Sequence, residues 1–369
     1  MTSTAVEVGV GRLRDQIRDA AERGVSLRIR GTGTWMDAGR PIEAGETIST
    51  ADHSGIVAYV AGDLTMTVRG GTTLAEIRDA AGAHNQWLAL DPHGVNDGTI
   101  GATTVTASAG PLATFFGTPR DLVLGVEFVT GTGAVARGGG RVVKNVAGFD
   151  LTRLIIGSWG TLGVVTEVTV RLHAKPEVDR TFAVALSDAG IGRVRALLRR
   201  LPFKPYSCEV VNARLAGALI ATNDTTALLR LAGNADAVSA QVAAFAELGE
   251  AREVDPGVWS KLRNIEPPGG GVVRLSDLPS EIERTWRAAN VVDAFVHASP
   301  ARGVVRVIAG EPARLSALAT ASGPTRIAER LPSNQWSAFS APMRALDARI
   351  KQTFDPANVL NRGILGSST

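Results

Sequence analysis

One cysteine in 369 residues, Cys208, leaves no internal disulfide and no cysteine-held metal cluster. Histidine is nearly as scarce. His53, His84, His93, His173 and His297 show no i, i+4 pair or other ligand spacing, which argues against a histidine-built metal centre. No apolar run reaches the ~18 residues that a membrane span needs, and residues 1–7 carry no basic segment ahead of an apolar core, so neither a transmembrane segment nor a secretory signal is expected. Neither sign of charge dominates: 39 Lys+Arg against 36 Asp+Glu gives +3, no footprint for nucleic acid. The densest basic run, 193–200, has Val194, Leu197 and Leu198 at helical spacing and reads as the wet face of an amphipathic helix. What is present is the composition of a globular protein, 44% hydrophobic and 20% charged, in a chain long enough for two cores. A cytoplasmic location is expected.

Periodicity divides the chain. Leu13, Ile17, Ala20 and Ala21 predict a helix over 12–23, with Gly24 at its C-terminal cap. Strands are predicted at 25–30, 55–60 and 64–69, and Thr73-Leu-Ala-Glu76 is a capping box opening a helix to about residue 83. More than a third of the 41 glycines then fall between Gly94 and Gly163, where the backbone has to be most permissive. Beyond Pro176 short strands alternate with helices, the pattern of an antiparallel sheet with helices on one face. Residues 343–354 form a last helix, stopped by Asp355-Pro356.

The most informative stretch runs from Arg141 to Glu167. Val143-Lys-Asn-Val-Ala-Gly-Phe-Asp-Leu151 precedes Gly157-x-x-Gly160-x-x-Gly163 and a β-branched run. Glycine spacing alone suits a tight turn as well as a ligand that the backbone approaches closely. The residues around it resemble the FAD-binding domain of the vanillyl-alcohol-oxidase, or PCMH, type of flavoproteins, and most closely the FAD-binding subunits of bacterial glycolate oxidases. The resemblance covers nearly all of 25–175 and returns at Phe354-Asp-Pro-Ala-Asn-Val-Leu-Asn361, where Arg362 replaces the family's usual proline. It implies an α+β fold: a two-subdomain PCMH-type FAD-binding domain at 1–176, an α+β cap or substrate domain with an antiparallel sheet at 177–339, and a helix and tail at 340–369 that return to the FAD domain.

It also implies a cofactor site. Arg30-Gly31-Thr32-Gly33-Thr34, followed by Trp35, ends the first predicted strand and can form a nest of N–H groups for the pyrophosphate. The second loop contributes Pro92, Gly98, Thr99, Ile100, Gly101 and Ala102, and Ser108 and Gly110 close the segment past the flavin. Arg120 and Asp121 match a family element near the cofactor, although a solvent-facing ion pair explains them equally well. Gly163, Val164 and Val165 match the strand whose backbone reads the adenine, Gly160 precedes it in the glycine run, and Asn361 belongs to the tail signature. Gly33 and Gly101 are expected to be positions of closest backbone approach. Thr34 stands where covalent members carry histidine, so non-covalent FAD is expected.

The substrate side departs from the family. Related subunits that oxidise 2-hydroxy acids carry a His-rich metal motif in the second domain; here the matching stretch keeps His297 but continues Ala-Ser-Pro-Ala-Arg-Gly. No metal site is expected. His93 is the candidate base, and Arg302 and Arg306 are the candidates for a substrate carboxylate. The resemblance thus implies an accessory FAD subunit of a glycolate oxidase or dehydrogenase complex, oxidising glycolate to glyoxylate. Its partners would be a catalytic flavoprotein subunit and an iron–sulfur subunit, which hold it peripherally at the inner face of the membrane. A free-standing FAD-dependent 2-hydroxy-acid dehydrogenase and a non-catalytic scaffold are the alternatives.

Overall fold

The computed structural model describes residues 3–42, 44–95, 97–140, 150–187, 190–290, 292–320, 323–339 and 344–366. Residues 141–149 of the family stretch lie outside them. Two compact units emerge: 1–109, 117–175 and 341–369 form the first, and 110–116 with 176–340 the second.

The first unit is built on a five-stranded antiparallel sheet, ordered Ile56–Val60, Thr65–Arg69, Val164–Arg171, Val123–Val129, Val135–Gly139. Its β-branched alternation is sorted by the pleat: Val68 pairs with Val168 in the core, and the hydroxyls of Thr67 and Thr169 meet at 2.9 Å. The strand Leu27–Arg30 stands apart, paired in parallel with Glu46–Ser49. Against that pair the long helix Ser3–Arg23 buries Leu13, Ile17 and Ala20. The tail extends the pair. Leu27 donates its N–H to Val359 (2.7 Å) and accepts one from Asn361 (2.9 Å). The capping box forms: Thr73 N–H donates to Glu76 at 2.7 Å, and Glu76 N–H returns to the threonine hydroxyl at 3.2 Å, opening helix Leu74–Gly82.

The second unit holds one eight-stranded, wholly antiparallel sheet, ordered Ala251–Glu253, Val178–Ala185, Thr226–Gly233, Ser207–Val211, Phe295–Ser299, Val304–Ala309, Gly271–Ser276, Thr325–Arg330. Its helices lie on both faces, not one. Phe182, Val210 and Leu229 point into the main core with helices Gly190–Arg200, Ala235–Phe245 and Ile282–Asn290. Their neighbours Ala183, Val211 and Leu228 point the other way, into a smaller core under helices Ala213–Ile220 and Val258–Arg263. Both helices are short and lie between strand runs, where periodicity left no signal to place them.

Candidate functional site

Within the first unit, four segments surround one cleft of about 950 Å3, mouth included: 28–38, 92–108, 159–165 and the tail at Asn361 and Ile364. The first loop sits directly on the second. A β-carbon at Gly31 would fall 2.3 Å from the Thr99 hydroxyl, and the Thr32 hydroxyl donates to the Asp97 carbonyl at 2.6 Å. Thr99 caps helix Ile100–Thr106, its hydroxyl accepting the Ala102 N–H at 3.3 Å. That helix start is also locked inward, because Ile100 and Gly101 donate to Thr72 and Gly70, each at 2.9 Å.

The electrostatics of the cleft are positive. Among the described residues, the backbone N–H groups of Gly31, Thr32, Gly33 and Thr34 donate to no protein acceptor. Gly33 adopts φ +87°, which an L side chain disfavours. Four successive donors at a strand end suit an anion. Arg28 and Arg30 lie on one face of the strand and both line the cleft; burial holds the Arg28 guanidinium below its ordinary pKa. At one end Trp35 and Trp159 stack with ring centroids 5.9 Å apart and planes 24° apart. Trp159 has φ +53°, and its carbonyl accepts the Asn361 Nδ2–H at 2.7 Å. The Asn361 Oδ1 accepts the Ile29 N–H at 2.9 Å, so one side chain ties the tail to both walls.

The comparisons with known proteins agree with this geometry. A family model described as an FAD binding domain matches residues 10–139. The glycolate oxidase subunit GlcE of Escherichia coli is 30% identical over 367 residues, 95% of each chain. This chain belongs to the GlcE family. Glycolate oxidase subunit GlcD of Bacillus subtilis is 36% identical over 163 residues, 44% of this chain and 35% of that one. Among solved structures, p-cresol methylhydroxylase with substrate bound superposes with a TM-score of 0.76 at 17% identity, covering 95% of this chain and 86% of the other. The fold is therefore the PCMH type, and FAD is the cofactor of this GlcE-family chain.

The cleft fits that cofactor. The free N–H groups of residues 31–34 suit a pyrophosphate, and Trp159, Val105, Val165 and Ile364 supply apolar walls for flat rings. Of the residues proposed from sequence, Arg30, Gly31, Thr32, Gly33, Thr34, Trp35, Pro92, Gly98, Thr99, Gly101, Ala102, Ser108, Gly160, Gly163, Val165 and Asn361 line it together, with His93 beside them. His93 is 9% exposed, and its backbone N–H donates to the Ser108 hydroxyl at 3.3 Å.

Others lie elsewhere. Ile100 and Val164 are fully buried in the core. Gly110 falls in the second unit. Arg120 lines a different cleft, and Asp121 accepts the Thr118 N–H at 2.8 Å as a helix cap. The expectation for Gly101 changes its reason. A β-carbon there would meet the Gly70 oxygen at 2.7 Å, so protein backbone, not ligand, is the close neighbour. Gly160 and Gly163 likewise make room for Asn361 and for the Phe128 ring.

In the second unit, Arg306 is already committed. Its Nε and Nη2 donate to Glu329 at 2.8 and 2.5 Å, and Nη2 also reaches Glu266 at 2.7 Å, which occupies the fork proposed for a substrate. Arg302 lies in the turn after Phe295–Ser299, its N–H donating to the Ser299 carbonyl at 3.1 Å. His297 is buried with its Nδ1 2.8 Å from Glu209. Sequence reading missed Arg28, Trp159 and Ile364. Alternation from Arg30 was available to place Arg28; nothing in the glycine pattern marked Trp159.

Proposed function

We propose that this chain is the accessory FAD subunit of a glycolate oxidase-type complex, which oxidises glycolate or a related 2-hydroxy acid to the 2-oxo acid. The observation that carries the reading is the end-to-end likeness to the E. coli glycolate oxidase subunit GlcE, 30% over 95% of each chain. When bound, FAD supplies a two-electron acceptor for the α-carbon hydride, from which electrons can leave singly to an iron–sulfur partner. This chain's residues do the holding. The donors at 31–34 take the phosphates, Asn361 and Trp159 fix the wall, and Thr34 leaves the cofactor without a covalent link. The tight fork of Arg306 on Glu329 and Glu266, and the Glu209 contact of His297, favour a substrate centre supplied by a catalytic flavoprotein partner. With a single buried cysteine, the cluster is assigned to an iron–sulfur partner. Among the described residues no helix is long and apolar enough to cross a membrane; the site of action is assigned to the cytoplasm, at the inner membrane face through partners.

The test is anaerobic addition of glycolate to the purified chain. The chain alone should be yellow and keep its flavin absorbance, and bleach once the catalytic partner is added. Rapid bleaching of the isolated chain contradicts the accessory role and favours a free-standing dehydrogenase. A colourless chain that still supports the complex favours a scaffold.

A further inference from the structure

The first unit contains a second cleft, and its charges do not balance. It lies between helix Leu151–Ile155, the turn at Gly157 and Ser158, helix Ala345–Phe354 and the tail, with about 1800 Å3 of empty space, mouth included. Among the described residues, every carboxylate that lines it is engaged. Asp150 accepts the Arg153 N–H at 3.0 Å and pairs with its guanidinium at 3.3 Å; Asp347 pairs with Arg344 at 2.8 Å. Asp355 pairs with Lys351 at 2.5 Å and accepts the N–H groups of Val359 and Leu360. Two exposed cations in the lining, Arg120 and Arg362, have no such partner among the described residues. Ser158, which lines the same cleft, is 6% exposed, and its hydroxyl has no hydrogen-bond partner. A buried hydroxyl left without a partner calls for an explanation. Leu154, Ile156, Leu162 and Ile350 add an apolar part to the wall, beside the polar Thr161, Gln352 and Asn358.

Neither arginine lines the FAD cleft, and the family resemblance leaves Arg362 unexplained. We infer that this second cleft binds an organic anion, its phosphate or carboxylate head held by Arg120, Arg362 and the Ser158 hydroxyl, its apolar body against Leu154, Ile156 and Ile350. Guanidinium forks suit both oxyanions, and the apolar side chains in the wall favour an organic body over a bare ion.

The experiment uses the full-length chain loaded with FAD, so that the first cleft is filled. Phenyl phosphate, phenylacetate and neutral benzyl alcohol are titrated in turn by calorimetry and by ligand-observed NMR. At least one anion should bind about tenfold or more tightly than the alcohol, and the preferred head tells phosphate from carboxylate. Arg120→Gln with Arg362→Gln should weaken that anion by about tenfold or more for each charge-assisted contact removed. Ser158→Ala, which removes one hydroxyl, should weaken it less while leaving the fold intact. Absence of anion binding, equal binding of the alcohol, or affinity unchanged in the arginine variant overturns the proposal. So does loss of flavin from the folded arginine variant, because both cations would then belong to the FAD site.

Discussion

Replacing Gly101 by alanine should strip flavin from this protein by moving a helix, not by blocking a ligand. The added β-carbon would sit 2.7 Å from the Gly70 oxygen and 3.3 Å from the Gly70 carbonyl carbon, while the Gly101 N–H donates to that same oxygen at 2.9 Å. The neighbour is backbone and cannot rotate away, so the start of helix Ile100–Thr106 has to lift. Overpacking of this kind costs about 1–3 kcal/mol, and a weakened hydrogen bond adds about 1 kcal/mol. Alanine's better helix propensity offsets about 1 kcal/mol, leaving a net loss of roughly 1–3 kcal/mol. The displaced turn carries Ala102, Thr103, Val105 and Thr106, all of which line the cleft. If half of that strain appears in binding, FAD affinity falls by about two- to tenfold, at 1.4 kcal/mol per decade. Valine, stiffer and larger, should be worse. The assay is flavin per chain after gel filtration, FAD titration of the apoprotein, and thermal unfolding. Gly62→Ala is the control, because a β-carbon there meets nothing within 4 Å. A Gly101→Ala protein matching that control in flavin content and melting temperature would refute the reasoning.

Asn361→Ala should destabilise the first unit by about 2–4 kcal/mol and lower flavin retention, since the Ile29 N–H and the Trp159 carbonyl both lose their partner; an unchanged melting temperature counts against the clamp. Acid precipitation should release all the flavin into the supernatant, and fluorescence left on the denatured chain would contradict non-covalent binding. In the second unit, burial alone would push the Glu329 carboxyl up, but the guanidiniums of Arg306 and Arg274 outweigh it and hold it below its ordinary 4.5. A depressed folded-state pKa gives stabilisation that is complete above pH 4.5 and is lost as pH falls through the lower folded value. Melting temperature should therefore drop with acid below about pH 4.5, and Glu329→Gln should flatten that slope while costing about 3–5 kcal/mol near neutrality; an unchanged slope refutes the assignment.

Much of the site was legible because its signals are local. The loop at residues 31–34 follows from glycine at a strand end, and the Thr73 box from two residues three apart. Glycine spacing could not say what fills the space of the missing β-carbon. At Gly101, Gly160 and Gly163 that neighbour is protein: the Gly70 carbonyl, Asn361 and Phe128, each distant in sequence. Arg306 failed as a substrate ligand for the same reason, since Glu266 and Glu329 lie 40 and 23 residues away. Arg120 was placed by analogy beside the cofactor or else in a surface ion pair, but helix Pro119–Leu122 puts it in the other cleft. The helices Ala213–Ile220 and Val258–Arg263 were missed because eight and six residues are too few for periodicity to declare itself. Their apolar residues become meaningful only once the second face of the sheet exists.

The most direct test of the account is glycolate-dependent dye reduction by the assembled complex, compared between this chain and a Gly101→Val version that assembles but holds no flavin. The complex carrying the flavin-free chain should lose nearly all turnover, while its other subunits keep their flavin and cluster spectra. Full turnover with the flavin-free chain would contradict an FAD role for this subunit and leave it a scaffold.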